Sequence, residues 1–146
     1  MRIDGEWFEW ADEVVRPVVR GEILNVHGRW EPTLFLVDTG ADCTVFSAAI
    51  LDVLDFTAAP PGQRLGGVGG VADSVRVTTQ IRLPREAGGA AVFRGGYAAF
   101  TQLEALDMCI LGRDIMGFFA VIVDHPAQIV SLIRESHRYT ISIAVK

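Results

Sequence analysis

One aspartate at the end of a short apolar strand is the feature that most constrains this sequence. Residues 33–37, Thr-Leu-Phe-Leu-Val, are apolar and partly β-branched, and this pattern predicts a buried strand. Asp38 follows directly, although aspartate is disfavoured in strands and costs free energy to bury unless a partner holds it. Thr39 and Gly40 then supply a hydroxyl and a residue that can turn tightly. The arrangement indicates a positioned carboxylate and not an ordinary surface charge.

Length and composition are those of one globular domain. The chain has 146 residues, half of them hydrophobic, which allows a modest core but is short for a two-lobed enzyme. We expect a domain over residues 18–146, preceded by an N-terminal extension of residues 1–17. The net charge of −5 argues against a nucleic-acid-binding face. No apolar run approaches the ~20 residues that a membrane helix needs, so we expect neither a nucleic-acid nor a membrane partner.

The cysteines and histidines show no metal-binding pattern. Cys43 and Cys109 are too few for a disulfide framework, so we expect two free thiols in or near the core. His27, His125 and His137 lie in or beside predicted turns and are expected to be solvated. The sequence therefore predicts no metal and no cofactor. The N-terminal residues lack the pattern of a secretory signal, and together with the cysteines this favours a cytoplasmic setting.

Hydrophobic patterning predicts a mainly β fold. Residues 75–83 alternate apolar and polar side chains, as a strand with one solvent-facing side does. A helix is predicted over residues 48–54 with Ser47 as its N-cap, and a second short helix over residues 113–119. Further strands are predicted over residues 18–26, 33–37, 91–100, 110–112, 120–123, 129–133 and 139–145.

Two further segments follow the aspartate in a recognisable order. A glycine cluster occupies residues 66–70, and residues 110–114 read Ile-Leu-Gly-Arg-Asp. Together with Asp-Thr-Gly at residues 38–40, these segments closely resemble the retropepsin-like branch of the aspartic proteases. The resemblance covers most of residues 18–133. It implies a retropepsin-like single-lobe fold, a closed β-barrel-like structure with one or two short helices.

The resemblance also assigns roles to particular residues. It implies that Asp38 is catalytic, with Thr39 and Gly40 completing the motif and the Thr39 hydroxyl contacting the backbone of a partner subunit. The glycine cluster resembles the tip of a flap that closes over substrate. The substrate-binding residues implied in this way are Ala41, Asp42, Gly67, Val68, Gly69 and Ile110.

Asp42 and Arg113 are implied by the resemblance to form an ion pair beneath the site. An exposed pair contributes about 0–1 kcal/mol to the free energy of unfolding. If the pair is partly buried, loss of either partner costs about 3–5 kcal/mol, because the other charge is stranded. We expect a structural role for the pair, with a share in lining the substrate groove.

The chain contains one Asp-Thr-Gly motif, whereas aspartic protease chemistry needs two carboxylates that share a proton. The ionised acid takes a proton from water, and the protonated acid polarises the peptide carbonyl. A homodimer with two-fold symmetry is the simplest source of the second carboxylate. We therefore expect a homodimeric aspartic endopeptidase that acts on a protein or peptide substrate. The resemblance further implies that terminal strands of both subunits share a sheet, for which residues 139–145 are the natural candidate.

Other interpretations remain open at this stage. Asp38 alone can be an ordinary strand-end aspartate that makes a turn with the following backbone. The whole chain can be a non-catalytic protease-fold module that dimerises or binds peptides. Residues 67–72 also fit a dinucleotide-binding pattern, but that pattern needs a helix where a strand is predicted, so we reject nucleotide binding. The aromatic residues Trp7, Phe8 and Trp10 can pack on the core, cap a dimer or mimic substrate.

Overall fold

The computed structural model describes residues 1–56, 63–67 and 70–135, with the side chains of residues 63–67 and 70–72 excepted. Most of the described chain lies in strands, which form two sheets, and this confirms the predicted mainly β fold. No helix in these ranges is long and apolar enough to cross a membrane. The strand predicted over residues 139–145, and His137, lie outside the described residues.

A small antiparallel sheet joins the first residues of the chain to its last described strands. Its strands, in spatial order, are β1 (Arg2–Asp4), β11 (Ile129–Ile133) and β10 (Ala120–Asp124). One face of this sheet is apolar, and it buries Ile3, Val130 and Leu132 against the core. The N-terminal segment is therefore part of the fold.

A larger, mixed sheet forms the body of the molecule. Its strands, in spatial order, are β2 (Glu6–Glu9), β3 (Val15–Leu24), β4 (Trp30–Val37), β9 (Cys109–Leu111), β5 (Val45–Phe46), β8 (Ala90–Phe100), β7 (Gly70–Pro84) and β6 (Gln63–Gly67). An additional pairing of β3 with β7 closes the strands from β3 to β7 into a ring. Phe35, Phe46, Ile81, Leu83 and Leu111 fill the core and are fully buried.

The two α-helices found among the described residues are short, and α1 (Ala48–Leu54) has the predicted bounds. The Ser47 side chain accepts a hydrogen bond from Ile50 N at 3.3 Å, which satisfies one unpaired donor of the first turn. The second helix, α2 (Arg113–Met116), is shorter than predicted, because the backbone beyond it forms hydrogen bonds to residues three positions back and not four. Phe118 N donates to Ile115 O three residues back, so the α-helical pattern is not continued. A 3-10 turn spans Leu103–Ala105.

The N-terminal aromatic residues pack on the protein itself. Trp7 lies against the core, and its Nε1 donates to Asp124 O at 3.1 Å. Phe8 contacts Trp10 with ring centroids 5.9 Å apart, and the guanidinium of Arg20 lies over the Phe8 ring. Of the three roles left open by the sequence, packing on the core is the one that Trp7 fulfils.

Candidate active site

Asp38 stands where β4 leaves the middle of the large sheet. β4 runs parallel to β9, with Val37 opposite Leu111, and both of these side chains are buried. Asp38 N donates to Leu111 O at 3.3 Å, which is the last backbone bond before the chain turns away. Two buried parallel strands therefore fix the position at which the carboxylate emerges.

The Asp38 carboxylate is held by the turn that follows it. Its Oδ1 accepts a hydrogen bond from Gly40 N at 2.9 Å, and Asp38 O accepts one from Ala41 N at 3.1 Å. A Cβ at Gly40 would lie 3.2 Å from the carboxylate oxygen and would crowd it. The strand-end turn that sequence reasoning treated as an alternative is thus present, and it orients a half-buried carboxylate towards the surface.

The loop after Asp38 crosses the end of β9 at very short range. A Cβ at Gly112 would lie 2.2 Å from the carbonyl carbon of Cys43 and 2.7 Å from Thr44 N. Only glycine fits at this crossing, because backbone atoms occupy the space that a side chain would need. Arg113 N donates to Ala41 O at 2.9 Å just beyond the crossing.

A buried threonine and an aspartate tie the two crossing segments together. Thr44 is fully buried; its Oγ1 donates to Asp114 Oδ1 at 2.7 Å and its N donates to the same oxygen at 2.9 Å. Thr44 Oγ1 also accepts from Gly112 N at 3.1 Å, and Ile115 N donates to Asp114 Oδ1 at 2.9 Å. Sequence reasoning gave Thr44 and Asp114 no role. The only sequence feature that points to Thr44 is that its hydroxyl side chain stands directly before the apolar pair Val45-Phe46.

Arg113 connects the Asp-Thr-Gly motif with Asp42. Its Nη1 donates to Thr39 O at 3.0 Å, and its Nη2 forms an ion pair with Asp42 Oδ1. The Arg113 side chain is 55% exposed and that of Asp42 is 86% exposed. The contact joins the two residues that the resemblance paired, but it is a surface pair. Such a pair contributes about 0–1 kcal/mol to the free energy of unfolding.

The other residues singled out from the sequence fall in two places. Ala41 and Ile110 are half-buried beside the crossing, whereas Thr39 and Gly40 are exposed. Gly67 ends β6 on a separate hairpin, where it pairs with Gly70 of β7. Val68 and Gly69 lie outside the described residues. The site thus brings residues 38–44 together with residues 110–114.

Neither thiol is activated as a nucleophile. Cys43 is half-buried and free, and its pKa is raised chiefly by burial and further by the negative charges of Asp114 and Asp42. Burial likewise raises the pKa of the Cys109 thiol, although hydrogen bonds with the Ser47 backbone and with the side chains of Thr33 and Ser47 oppose the shift. The described residues contain no group of three or more His, Cys, Asp or Glu side chains that could hold a metal ion.

Known proteins resemble this chain in sequence pattern and in fold. Residues 22–115, well over half of the chain, match the family described as aspartyl protease. The structure of EIAV protease complexed with the inhibitor HBY-793 is 24% identical, covers 75% of this chain and 92% of its own, and superposes with a TM-score of 0.52. A retropepsin-like aspartic protease from Rickettsia conorii is 15% identical, covers 90% of each chain and gives a TM-score of 0.59.

No curated protein gives a significant match to the sequence. The family match includes the Asp38 turn, Gly112 and Arg113, and the two solved structures share the fold of this chain. The chain belongs to the aspartyl protease family and has the retropepsin-like fold.

Proposed function

We propose that the protein is an aspartic endopeptidase in which Asp38 from each of two identical subunits forms the catalytic pair. The observation that carries this proposal is the Asp38 turn: a half-buried carboxylate at the end of a buried strand, with Oδ1 fixed by Gly40 N at 2.9 Å. Membership of the aspartyl protease family supports the assignment.

Of the three aspartates in residues 38–44 and 110–114 of the described structure, Asp38 alone has no side-chain partner. Asp42 is engaged by Arg113, and Asp114 is engaged by Thr44. The segments without described structure, residues 57–62, 68–69 and 136–146, contain no aspartate or glutamate in the sequence. A second copy of the chain is therefore the simplest source of the second acid, and a two-fold axis would set the two carboxylates face to face.

The chemistry follows from two carboxylates that share one proton. The ionised carboxylate removes a proton from a water molecule as the water oxygen attacks the peptide carbonyl carbon, and the protonated carboxylic acid donates its proton to the carbonyl oxygen. When the tetrahedral intermediate collapses, the C–N bond breaks, the amide nitrogen takes a proton from the pair, and one hydroxyl group of the intermediate gives its proton to the pair as the C=O bond forms again. The pair recovers one shared proton, and no covalent enzyme intermediate forms.

Two further features support a site shared between subunits. Thr39 is exposed, and no hydrogen bond within the described part of the chain uses its hydroxyl, so this hydroxyl is available to a partner's backbone. The hairpin of β6 and β7, in which Gly67 and Gly70 are the last paired residues, is our proposed flap. Gly67, at the end of β6, would then meet the substrate from above.

The floor of the proposed substrate groove is formed by residues beside the catalytic turn. Ala41 and Ile110 present half-buried apolar surface, and Asp42 presents an exposed carboxylate held by Arg113. Backbone groups of this loop and of the flap suit an extended peptide, because a strand-like segment exposes its own N–H and C=O groups.

Replacement of Asp38 by asparagine tests the proposal. Hydrolysis of a fluorescently labelled unfolded casein should fall below about one per cent of the wild-type rate, because the amide cannot share the proton. The matched control is Asp52→Asn on the exposed face of α1, which should keep wild-type activity. Circular dichroism and sedimentation should show that both variants keep the fold and the dimer. A wild-type protein that binds casein but never cleaves it would instead favour the non-catalytic module.

Specific activity across a dilution series tests the shared site. Activity should fall with the dimer population, because a lone subunit holds half of the catalytic pair. A monomer with full specific activity would overturn the proposal.

A further inference from the structure

We propose that a cleft beside β8 binds peptides, and that an extended segment with alternating apolar and acidic side chains adds there as a strand to the free edge of β8. The cleft has a volume of about 500 Å³ and is lined by residues 92–97, by Asp114, Ile115 and Phe118, and by Arg134. This volume falls within the range of known ligand sites. Residues 38–42 and Ile110 do not line the cleft, so the inference goes beyond the proposed catalytic function.

Hydrogen bonds at both ends of the β7–β8 pairing identify the free backbone groups of β8. Arg85 N donates to Gly89 O at 2.9 Å, and Thr101 N donates to Asp73 O at 3.5 Å. Both pairs continue the register of the two strands. Because backbone groups alternate in direction along an antiparallel strand, the odd-numbered residues of β8 direct theirs towards β7.

The even-numbered residues of β8 must therefore direct their N–H and C=O groups to the opposite edge. β5 pairs with that edge only at residues 98–99. The part of the chain that the structure describes provides no strand beside residues 90–96 on this side. The backbone groups of Val92, Arg94 and Gly96 thus form an unpaired row along the cleft, which is the surface that an added peptide strand uses.

Two adjacent glycines leave room in the cleft. Gly95 and Gly96 lie inside β8, where glycine weakens a strand because it has no side chain to pack. Neither residue has a positive φ, and a Cβ at Gly95 would meet the nearest atoms, those of the Tyr97 ring and hydroxyl, at an ordinary 3.6 Å. Neither backbone conformation nor internal packing therefore explains Gly95. The close approach of another backbone is a recognised reason for a glycine inside a strand.

One side of the cleft is apolar. The Phe118 side chain is 55% exposed, although its ring centroid lies only 6.2 Å from that of Phe93. Ile115, which is buried, also lines the cleft. Successive side chains of a strand point to opposite faces, so every second side chain of an added strand would contact this apolar surface.

Basic side chains occupy the part of the cleft where β8 begins. Arg94 and Arg134 are exposed, and neither guanidinium forms an ion pair within the described residues. Arg134 N donates to Met1 O, and the neighbouring Arg2 O accepts from Glu86 N in the β7–β8 turn, so Arg134 lies near the start of β8. Two unpaired positive charges in a chain of net charge −5 favour a ligand with acidic side chains.

The acidic residue of the cleft is engaged by the protein itself. Asp114 Oδ1 accepts hydrogen bonds from Thr44 N, Thr44 Oγ1 and Ile115 N. Asp114 lies towards the other end of the cleft, beside Tyr97, where burial chiefly and the Asp114 charge in addition raise the pKa of Tyr97 to about 12. Two arginines and one engaged carboxylate leave the cleft with a net positive charge, so an acidic segment fits it better than a basic one.

Binding of a short peptide tests the inference. The probe is Val-Glu-Val-Glu-Val with blocked ends and a fluorescein label, and the protein is the 146-residue chain with Asp38→Asn, so that cleavage cannot intervene. Fluorescence anisotropy should show saturable binding that weakens in high salt. The comparison peptide Val-Lys-Val-Lys-Val should bind at least about tenfold more weakly, because its charges oppose those of Arg94 and Arg134. Equal binding of the two peptides would overturn the inference.

Substitutions in β8 test the position of the site. Val92→Pro removes an N–H that points away from β7, so the chain should keep its fold while the dissociation constant of the acidic peptide rises about tenfold. The control Val92→Thr keeps the N–H and the β-branched shape and should bind like the parent chain. Gly95→Val fills the cleft with a side chain that strands favour, and it should also weaken binding at least about tenfold. Circular dichroism establishes that each variant is folded.

A charge substitution tests the acidic preference. Arg94→Gln should weaken binding of the acidic peptide about twofold to fivefold, and this difference should disappear in high salt. The matched control is Arg29→Gln, which removes an exposed charge from the turn between β3 and β4 and should leave binding unchanged. An equal effect of both substitutions would show attraction to the whole surface and would overturn the site.

The remaining outcomes concern other occupants of the edge. Peptide binding only to a chain shortened to end at Glu135 would show that residues 136–146 cover the edge. A lower dimer fraction of Val92→Pro in sedimentation would show that a second copy occupies it. Either result overturns the peptide site.

The proposed function is tested separately from this cleft. Hydrolysis of casein by the wild-type protein, without peptide binding at β8, would overturn the cleft and leave the proposed function intact. Peptide binding that Val92→Pro and Gly95→Val abolish, in a protein whose wild-type form shows no hydrolysis, would support the cleft and count against the proposed function.

Discussion

The Thr44 hydroxyl donates a hydrogen bond to Asp114 Oδ1 across 2.7 Å and accepts one from the backbone N–H of Gly112. One buried side chain thus joins the loop after Asp38, the end of β9 and the first turn of α2. Since Gly112 lies in backbone contact with Cys43, the network fixes the two segments at their crossing. The position of the Asp38 turn depends on this crossing, because Arg113 extends from it to Thr39 O.

Thr44→Val should lower the free energy of unfolding by about 1–3 kcal/mol. Valine keeps the shape of threonine but leaves the buried N–H of Gly112 without its acceptor and Asp114 without one donor. Denaturant unfolding measures the change. Thr44→Ser keeps the hydroxyl and loses only a methyl group, so it should cost about 1 kcal/mol. If valine is tolerated as well as serine, the hydroxyl network does not stabilise the crossing.

The Asp42–Arg113 pair should be weakly coupled. Both side chains are more than half exposed, so a double-mutant cycle with alanine should give a coupling energy of about 0–1 kcal/mol that decreases in high salt. Arg113→Ala should nevertheless lower the free energy of unfolding more than Asp42→Ala does, because it also removes the hydrogen bond to Thr39 O. A coupling energy of about 3 kcal/mol or more would instead indicate a buried pair in solution.

Sequence pattern predicted the local elements well where a single physical signal dominates. Ser47 followed by an apolar segment predicted α1 and its cap, and the alternation over residues 75–83 predicted the long β7. The position of Asp38 at a strand end was also predictable, because an aspartate directly after the apolar residues 33–37 is disfavoured inside the strand and costly to bury. In each case the signal lies within a few residues and does not depend on distant packing.

Features that depend on contacts between distant segments could not be read in the same way. β1 is three residues long and forms only because β11, more than a hundred residues away, offers it an edge. The need for glycine at position 112 arises from its crossing with Cys43, and the exposure of Arg113 arises from the surface position of α2. Residues 113–119 carry an apolar helical pattern, but the turn at Phe118 breaks it. Such properties are set by three-dimensional packing.

Hydrolysis should be fastest at acidic pH and decrease towards alkaline pH. The proposed mechanism needs one proton on the pair of carboxylates, and this proton is lost as the pH rises. A pH–rate profile of casein cleavage by the dimer, at a concentration where sedimentation shows a constant dimer fraction, measures the dependence. A rate that keeps increasing from neutral to alkaline pH would contradict a mechanism that uses a shared proton.

Cys43 should react slowly with iodoacetamide at pH 8 and faster as the pH rises. Burial and the charges of Asp114 and Asp42 raise the pKa of its thiol, and the thiolate is the reactive form. Asp42→Asn removes one of these charges and so should speed labelling at fixed pH, whereas the surface control Asp52→Asn should not. Mass spectrometry of the labelled peptide separates Cys43 from Cys109, which is almost fully buried and should label more slowly still. Labelling of Cys43 in the folded protein at the rate of the denatured chain would show that its thiol is neither shielded nor held in the protonated form.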